Sequence, residues 1–479
     1  MDLQDKLAGY VREFNENDEP LACGDIDNGH ALAFLAEQIP LIELPDPVIE
    51  RAYYFRWWTY RKHIRATPCG RVVTEFLPPV PWAGPFNTIN CPAGFHLREG
   101  RWLRDPGGIL PEYIDFWLDG HGVEKYSSWL IAAIREYCEI RGDAGFTAAR
   151  LGKMESMLRF HIERAATASP LYRSDDNLDG MEYSISGSGL RPTINSYLYG
   201  EADALAAFYR RAGRTQDAAR WDSFARSLRE DILTLLWDGS FFKTIPDEEI
   251  PLTHITRPAV PPEHDVRELT GYVPWYFGIP DARHGAAFRA LTERDGFAAP
   301  AGLACAERSH PRYEERHGHE CLWNGPVWPF AVSQTLVALA NALRAGQTNA
   351  LGREDYAALL HQYAACHRRT LPDGRVVDWI DENLDPETGI WLARSILESW
   401  GWRENKGGRE RGKDYNHSLF CDLVLSGLLG IGADEAGELR VSPLVPASWT
   451  RFRVENLSFR GRACSIVWEN GEAHVTFPR

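Results

Sequence analysis

The stretch Asp217-Ala-Ala-Arg-Trp221-Asp-Ser-Phe224-Ala225-Arg-Ser-Leu228-Arg-Glu-Asp-Ile232-Leu-Thr-Leu235-Leu-Trp237-Asp238-Gly239-Ser240 carries apolar residues three or four positions apart, with one step of one. That spacing puts Trp221, Phe224, Ala225, Leu228, Ile232 and Leu235 on one face of a helix. Asp217-Ala218 opens the helix, and the Trp237–Ser240 turn closes it. The same period recurs in Ile49, Ala52, Tyr53, Trp57, Tyr60 and Ile64, and again in Tyr126, Leu130, Ala133, Ile134 and Tyr137. Further helices are expected at 146–165, 193–212, 284–295, 328–345, 354–368 and 417–430. Four long segments rich in Gly, Pro, His and aromatic residues separate them: 76–112, 171–192, 297–328 and 380–416. Loops of that length are uncommon unless they are functional. Successive helices with long loops gathered at one end predict an α/α toroid whose loops build a pocket.

The tail reads differently. Phe452–Phe459, Ala463–Trp468 and Ala473–Phe477 alternate as strands, and Glu469-Asn470-Gly471-Glu472 is a hairpin turn. The expected division is a helical catalytic domain over 1–435 and a small β appendage over 436–479. The appendage is too small to fold alone and is expected to pack on the helices.

Composition narrows the function. The 479 residues hold 52 Lys+Arg against 67 Asp+Glu, a net charge of −15. That argues against nucleic acid, which demands a basic stripe, and against anionic membranes. Met1–Leu41 has no basic segment followed by an apolar one, so no secretory signal is expected. No apolar run approaches the roughly 18 residues of a membrane span. Nine cysteines, an odd number with no C-x-x-C pair, read as reduced thiols of a cytoplasmic protein. The 17 Trp, 18 Tyr and 21 Phe stand out. Their flat rings suit the C–H face of a sugar and their polar edges its hydroxyls. A Trp-rich core explains many of them, but less well those set in Gly/Pro loops.

Three loop segments can carry chemistry. Ser174-Asp175-Asp176-Asn177-Leu178-Asp179-Gly180-Met181-Glu182-Tyr183-Ser184 crowds carboxylates ahead of a helix. Asp175 and Asp176 are as well explained by solvated turns. Glu182, between Met181 and Tyr183, sits where partial desolvation would hold a carboxyl protonated, as a general acid requires. Trp379-Ile-Asp-Glu382-Asn-Leu384-Asp385-Pro-Glu-Thr-Gly389 places Glu382 just before an Asp-Pro turn; a charged surface hairpin is the competing account. Glu320-Cys-Leu-Trp323-Asn324-Gly325-Pro-Val-Trp328-Pro329 brackets a Gly-Pro turn with two Trp residues, a sugar platform or a structural staple. Two carboxylates 200 residues apart, each in an aromatic loop, suggest glycoside hydrolysis.

These segments resemble a known group. Gly180-Met181-Glu182-Tyr183-Ser184 resembles the general-acid segment of clan G glycosidases, which is of Gly-Trp-Asp-Phe-Ser type in trehalases. Glu382-Asn-Leu-Asp-Pro-Glu-Thr-Gly389 is similar to the general-base segment of glycoside hydrolase family 63 and its bacterial relatives. Trp323-Asn-Gly-Pro-Val-Trp328-Pro resembles their Trp-x-Gly-Pro-x-Trp signature. The resemblance implies an (α/α)6 six-hairpin barrel and an inverting exo-acting α-glycosidase for a small α-glucoside or α-mannoside, with no cofactor. Relatives include mannosylglycerate and glucosylglycerate hydrolases. It implies Glu182 as acid and Glu382 as base. The sequence departs at Glu182, where relatives carry Asp; the extra methylene moves the carboxyl by about 1.5 Å, which keeps Asp179 as the alternative acid. Leu384 replaces a Tyr, and residues 391–413 form an insert. The first long loop of relatives helps bind sugar, which nominates Trp82, His96, Glu99, Arg101 and Trp102; a surface Arg/Glu network is the competing account. Trp323, Asn324, Gly325 and Trp328 are expected in the pocket, with Tyr415 and His417 near its rim.

Three other functions compete: a sugar isomerase or epimerase using paired histidines such as His96, His310 and His417; a non-catalytic sugar-binding protein; and a polysaccharide lyase. His310, His317, His319 and Glu320 do not match a zinc-helix spacing, so no metal is expected. The expected partner is a small carbohydrate, with neither nucleic acid nor membrane.

Overall fold

The helix expected around Trp57 runs Pro47–Tyr60 in the computed structural model, which describes residues 2–477 apart from 106, 143, 250–256 and 316. Asp46 caps it, its side chain accepting from Val48 N (2.9 Å) and Ile49 N (3.1 Å), and Pro47 supplies a helical φ in the first turn. From Ala52 to Tyr60 every residue is buried, so this helix has protein on all sides. Pro192–Arg211 and Pro329–Arg344 are buried over most of their length, up to their last turns. Leu151–Ala165 and Thr215–Asp231 instead bury one stripe, the latter Ala218, Trp221, Ala225 and Leu228. These one-sided helices both pack against Pro192–Arg211. Thr215–Asp231 reaches it through a tight turn at Gly213, whose φ of +72° favours glycine. Arg353–Ala365 lies on both Pro329–Arg344 and Pro47–Tyr60. The body is therefore a layer of buried helices backed by a layer of amphipathic ones.

Local departures from the sequence expectations have identifiable causes. The expected 284–295 helix is a 3-10 stretch, Ala282–Leu291, begun by Asp281 and His284 capping one another. The expected 417–430 helix is one short turn, Phe420–Asp422, continued as a π-helix over Leu423–Leu428. Segment 76–112 is not all loop: it contains helix Ala93–Gly100 and the start of Ile109–Leu118. Segment 380–416 contains Leu392–Ser399. The N-terminal region adds Leu3–Glu16 and Ala31–Gln38; the former buries Leu3, Leu7, Val11 and Phe14, with Phe14 edge-on to Phe55 at 5.5 Å.

The tail forms strands Arg451–Phe459, Arg462–Glu469 and Glu472–Thr476, antiparallel throughout. Asn470 and Gly471 both take positive φ, the mark of a two-residue hairpin turn matched to strand twist. Cys464, Ile466 and Trp468 alternate inward, and Trp468 stacks on its register partner Phe452 at 5.2 Å. The sheet is not made by the tail alone. Leu41–Glu43 adds a fourth strand beside Arg451–Phe459, and Arg460 N donates to Ile140 O (2.8 Å). Those contacts fasten the appendage to the helices. Among the described residues no helix is long and apolar enough to cross a membrane.

Candidate active site

A cavity of about 450 Å³ opens between the long loops and is lined by residues from all four of them. Glu182 and Glu382 both face it, as do Trp82, Trp323, Trp328, Tyr415 and His417.

The Glu182 loop is fixed by its own chemistry. A 3-10 turn, Asn177–Asp179, ends at Gly180 with φ +69°. Tyr183 also takes a positive φ of +60°, a sparsely populated conformation for a bulky residue. Trp323 N donates to Glu182 O (3.1 Å), tying this loop to the Trp platform. Asp179, the alternative acid, is nearly fully buried and lines the cavity, but its carboxylate is occupied. It accepts from Arg191 Nε (2.6 Å), Ser174 Oγ (2.9 Å) and Thr193 Oγ1. It braces the loop. Glu182 has no ion pair among the described residues. Burial, reinforced by the charges of Glu382 and Asp176, pushes it up to about 7, against a hydrogen bond from its own backbone and the Arg411 cation.

Glu382 lies two residues before a pair of strand-like bridges centred on Leu384. Leu384 pairs with Val327 through reciprocal hydrogen bonds of 2.9 Å and also bridges to Trp391. Asp385 then turns the chain, accepting from Glu387 N (3.1 Å) and Thr388 N (2.8 Å). The Glu382 carboxylate is gripped by a guanidinium fork: Arg411 Nε to Oε1 at 2.6 Å and Nη2 to Oε2 at 2.9 Å. The Cys321 thiol donates to Oε2 (3.3 Å). Arg411 also donates to Glu320 Oε1 (2.9 Å). Gly412 permits this approach, since a Cβ there would lie 1.9 Å from Asp381 Oδ1.

Trp323 and Trp328 stack at 4.4 Å and 11°, with Trp328 Nε1 donating to Leu322 O (2.8 Å). Trp82, also on the cavity, lies under Arg411 at 5.0 Å. Tyr415 and His417 stack at 3.7 Å. They are buried in the wall and are not the rim residues expected from sequence. Burial holds His417 well below the usual imidazole range, with Arg56 adding to the effect.

Several nominated residues lie elsewhere. His96, Glu99, Arg101 and Trp102 do not line the cavity. His96 is engaged by Tyr113 OH (2.9 Å) and by Asn416 O (2.6 Å). Glu99 accepts from Cys421 N and Asp422 N, both at 3.0 Å, capping the turn that begins there. Arg101 Nη2 and Trp102 Nε1 each donate to Asp422 Oδ1 at 2.7 Å. The physical reason is Asp422 itself. A fully buried carboxylate must be paired, and the charged residues of this segment turn inward to do it. Asn324 and Gly325 stand behind the Trp platform: Asn324 Nδ2 donates to Glu315 O (2.7 Å), and a Cβ on Gly325 would touch Glu314 Cγ at 2.6 Å.

Sequence reasoning missed Glu75, Glu320, Cys321, Lys406 and Arg411, which all line the cavity. Glu75 falls one residue before the loop boundary drawn at 76. Arg411 lies in the segment set aside as an insert. Of the three histidines named for an isomerase His417 lines the cavity, whereas His96 is in the wall network and His310 Nε2 lies against Pro262 O (3.2 Å). His319, Glu320 and Cys321 bring potential metal-ligand atoms within 4.8 Å of one another. The protein's own cations occupy that cluster, Lys406 Nζ lying 3.0 Å from Glu320 Oε2 and 3.1 Å from His319 Nε2.

The family model "Mannosylglycerate hydrolase MGH1-like glycoside hydrolase domain" matches residues 85–418, and "Glycosyl hydrolase family 65, C-terminal domain" matches 433–478. No curated protein matches. A solved structure named as a sialidase is 32% identical with a TM-score of 0.88, covering 100% of this chain and 43% of its own. This chain thus spans under half the length of that protein. A Streptomyces avermitilis alpha-L-rhamnosidase complexed with L-rhamnose is 13% identical (TM-score 0.53; 90% and 36% covered). The GH63 mannosylglycerate hydrolase from Thermus thermophilus in complex with glucose is 12% identical (TM-score 0.51; 73% and 95% covered). With about seven-tenths of its length inside one family model, the chain belongs to the mannosylglycerate hydrolase MGH1-like glycoside hydrolase domain family.

Proposed function

We propose that the protein is an inverting, exo-acting α-glycosidase with Glu182 as general acid and Glu382 as general base. The observation that carries this is the sharing of one cavity by two carboxyl groups in unlike settings. Glu182 is unpaired and pushed up to about 7, whereas Glu382 is held in an Arg411 fork. In the reaction Glu382 takes a proton from water. That water attacks the anomeric carbon from the face opposite the leaving oxygen, and Glu182 gives its proton to that oxygen as the C–O bond breaks. Oε2 already accepts from Arg411 and the Cys321 thiol, so the second acceptor direction left for the water is on Oε1. An inverting pair requires about 6.5–9.5 Å between the carboxyls. Trp323 and Trp328 supply the stacking face for the sugar, and Trp82 adds a further aromatic wall. No cofactor takes part in this scheme.

The substrate on this reading is a small α-glucoside or α-mannoside, supported by the family and by the glucose named in the Thermus structure. A second reading is an α-linked sugar bearing a carboxylate. It is favoured by the 32% identity to a structure named as a sialidase and by Lys406 on the cavity wall. The two-layer helical body is read as a closed (α/α)6 barrel over 1–435 with an appendage over 436–479, supported by the separate family matches. The last two residues of that range lie outside the described ones. Nine cysteines that all remain thiols support a cytoplasmic setting. The test is hydrolysis of a panel of α-glucosides, α-mannosides and α-sialosides followed by NMR of the first product formed. The β-anomer is expected from the glucosides or mannosides; a product retaining the α configuration overturns the mechanism.

A further inference from the structure

Most buried carboxyl groups among the described residues are satisfied by the protein itself, Glu268 for instance taking Ser186 N (3.3 Å) and Ser186 Oγ (2.6 Å) on its two oxygens. Asp179 is paired with Arg191, Asp422 with Arg98 and Arg101, Asp381 with Arg394, and Glu320 and Glu382 with Arg411. Glu99 and Glu201, without cations, each accept two backbone N–H groups at a helix start. Glu75 has neither arrangement. It is only 6% exposed and lines the cavity beside Phe76 and Trp82. Among the described residues its carboxyl receives a single hydrogen bond, from Tyr415 OH to Oε1. Tyr415 is itself held between Phe76, at 4.5 Å, and His417, at 3.7 Å, so the clamp is rigid. The backbone is pinned too, Asn416 N donating to Glu75 O (3.0 Å).

Oε2 has no protein partner among the described residues and is not sealed off in the interior, so it is open to a partner from the cavity that Glu75 lines. Resting on the glycosidase reading above, we propose that Glu75 is a third carboxyl group that touches substrate, donating a hydrogen bond from Oε2 to one hydroxyl of the sugar ring held between Glu182 and Glu382. Burial, with the charges of Glu382 and Glu182 added, pushes Glu75 up to about 8 against Tyr415 and Arg411, so it carries the proton such a bond requires. A sugar lacking that hydroxyl leaves the carboxyl unpaired, which makes Glu75 a specificity device.

The test is binding of free monosaccharides, which needs no turnover and so separates this inference from the catalytic roles. Glucose, mannose, rhamnose and sialic acid, then the monodeoxy analogues of whichever binds, are titrated calorimetrically into the wild type, Glu75→Gln, Glu75→Ala and Tyr415→Phe. Melting curves verify folding. Glu75→Ala is expected to lose about tenfold or more in affinity for the parent sugar. One deoxy analogue should bind the wild type as weakly and be indifferent to Glu75→Ala. Glu75→Gln, whose amide still donates, should recover most of the affinity. Tyr415→Phe, which frees the clamp and keeps the carboxyl, should weaken that hydroxyl's contribution in part. An equal loss for the parent and every deoxy analogue, or no loss at all, overturns the proposal. So does a wild type that binds none of the four sugars. Sugar binding that follows this pattern in a protein that hydrolyses nothing would retain Glu75 and discard the hydrolytic reading.

Discussion

Two clusters of charge and aromatic rings lie inside this helical body, and they are built in opposite ways. Around Asp422 every demand is met: Arg98, Arg101, Trp102 and Ser426 donate to its two oxygens. Burial works against its charge, but Arg101 and Arg98 outweigh that and hold the carboxyl well below its usual range. Around the cavity Glu182 and Glu75 have no cation partner, and burial pushes both up, to about 7 and about 8. The two clusters use the same residue types. What separates structure from chemistry is whether the polar groups are satisfied by the protein or left waiting for a ligand.

The sharpest way to break that comparison is one substitution in each cluster. Asp422→Ala leaves Arg98 and Arg101 buried without their shared counter-charge, so unfolding free energy should fall by about 3–5 kcal/mol. Denaturant titration reads this, and the KM of the folded fraction should stay put. Glu382→Gln keeps the shape and removes the base, so kcat should fall by about 10³-fold with a much smaller change in denaturation midpoint. If Glu382→Gln loses stability and not turnover, the two clusters are of one kind and the site is misassigned.

Arg411 belongs to both types of arrangement, since it is fully paired yet faces the cavity. It positions Glu382 and has no contact with the reacting bond in the proposed scheme. Arg411→Ala should therefore lower kcat by about 10²-fold with KM within a few-fold, because a misplaced base costs rate more than binding. Arg411→Lys should recover only part of this, since an ammonium cannot reproduce the fork. Steady-state kinetics with a turned-over α-glycoside decide it. A KM effect larger than the kcat effect would make Arg411 a substrate ligand instead.

The comparison also explains which parts of the molecule were legible in sequence. Helix Thr215–Asp231 and the strands of the tail announce themselves because period reports which face is buried, and burial of apolar groups is a local property. Glu182 and Glu382 were legible as cavity residues, the one from its neighbours Met181 and Tyr183, the other from the Asp385-Pro386 turn after it, and both from the resemblance of their segments to known glycosidases. The Asp422 cluster was not. Segment 93–102 looks like a Gly/Pro loop with sugar-binding side chains, yet Ala93–Gly100 is a helix buried at every position. Its partner lies more than 300 residues away, and pairing over that distance leaves no periodic trace. Glu75 and Arg411 were missed for the same reason: each acquires its role only when the chain is folded, one from Tyr415 and one from Glu382.

The smallest expected effect is also the most diagnostic of how the cavity sets its charges. A general acid works while protonated, so activity resting on Glu182 is present below its raised value and lost as pH climbs through about 7. The alkaline limb of kcat/KM should therefore fall about tenfold per pH unit above that point. Arg411 opposes the rise of Glu182, whereas Glu382 and Asp176 promote it. Removing the cation in Arg411→Ala should move the limb to higher pH by a fraction of a unit, on top of the loss in kcat. Asp176→Asn, which deletes a promoting charge and leaves the paired residues alone, should move it to lower pH. Opposite displacements by the two variants are the signature of one carboxyl sensing both neighbours. A limb that stays fixed in both would assign the titration to another group, and the acid would have to be sought elsewhere on the cavity wall.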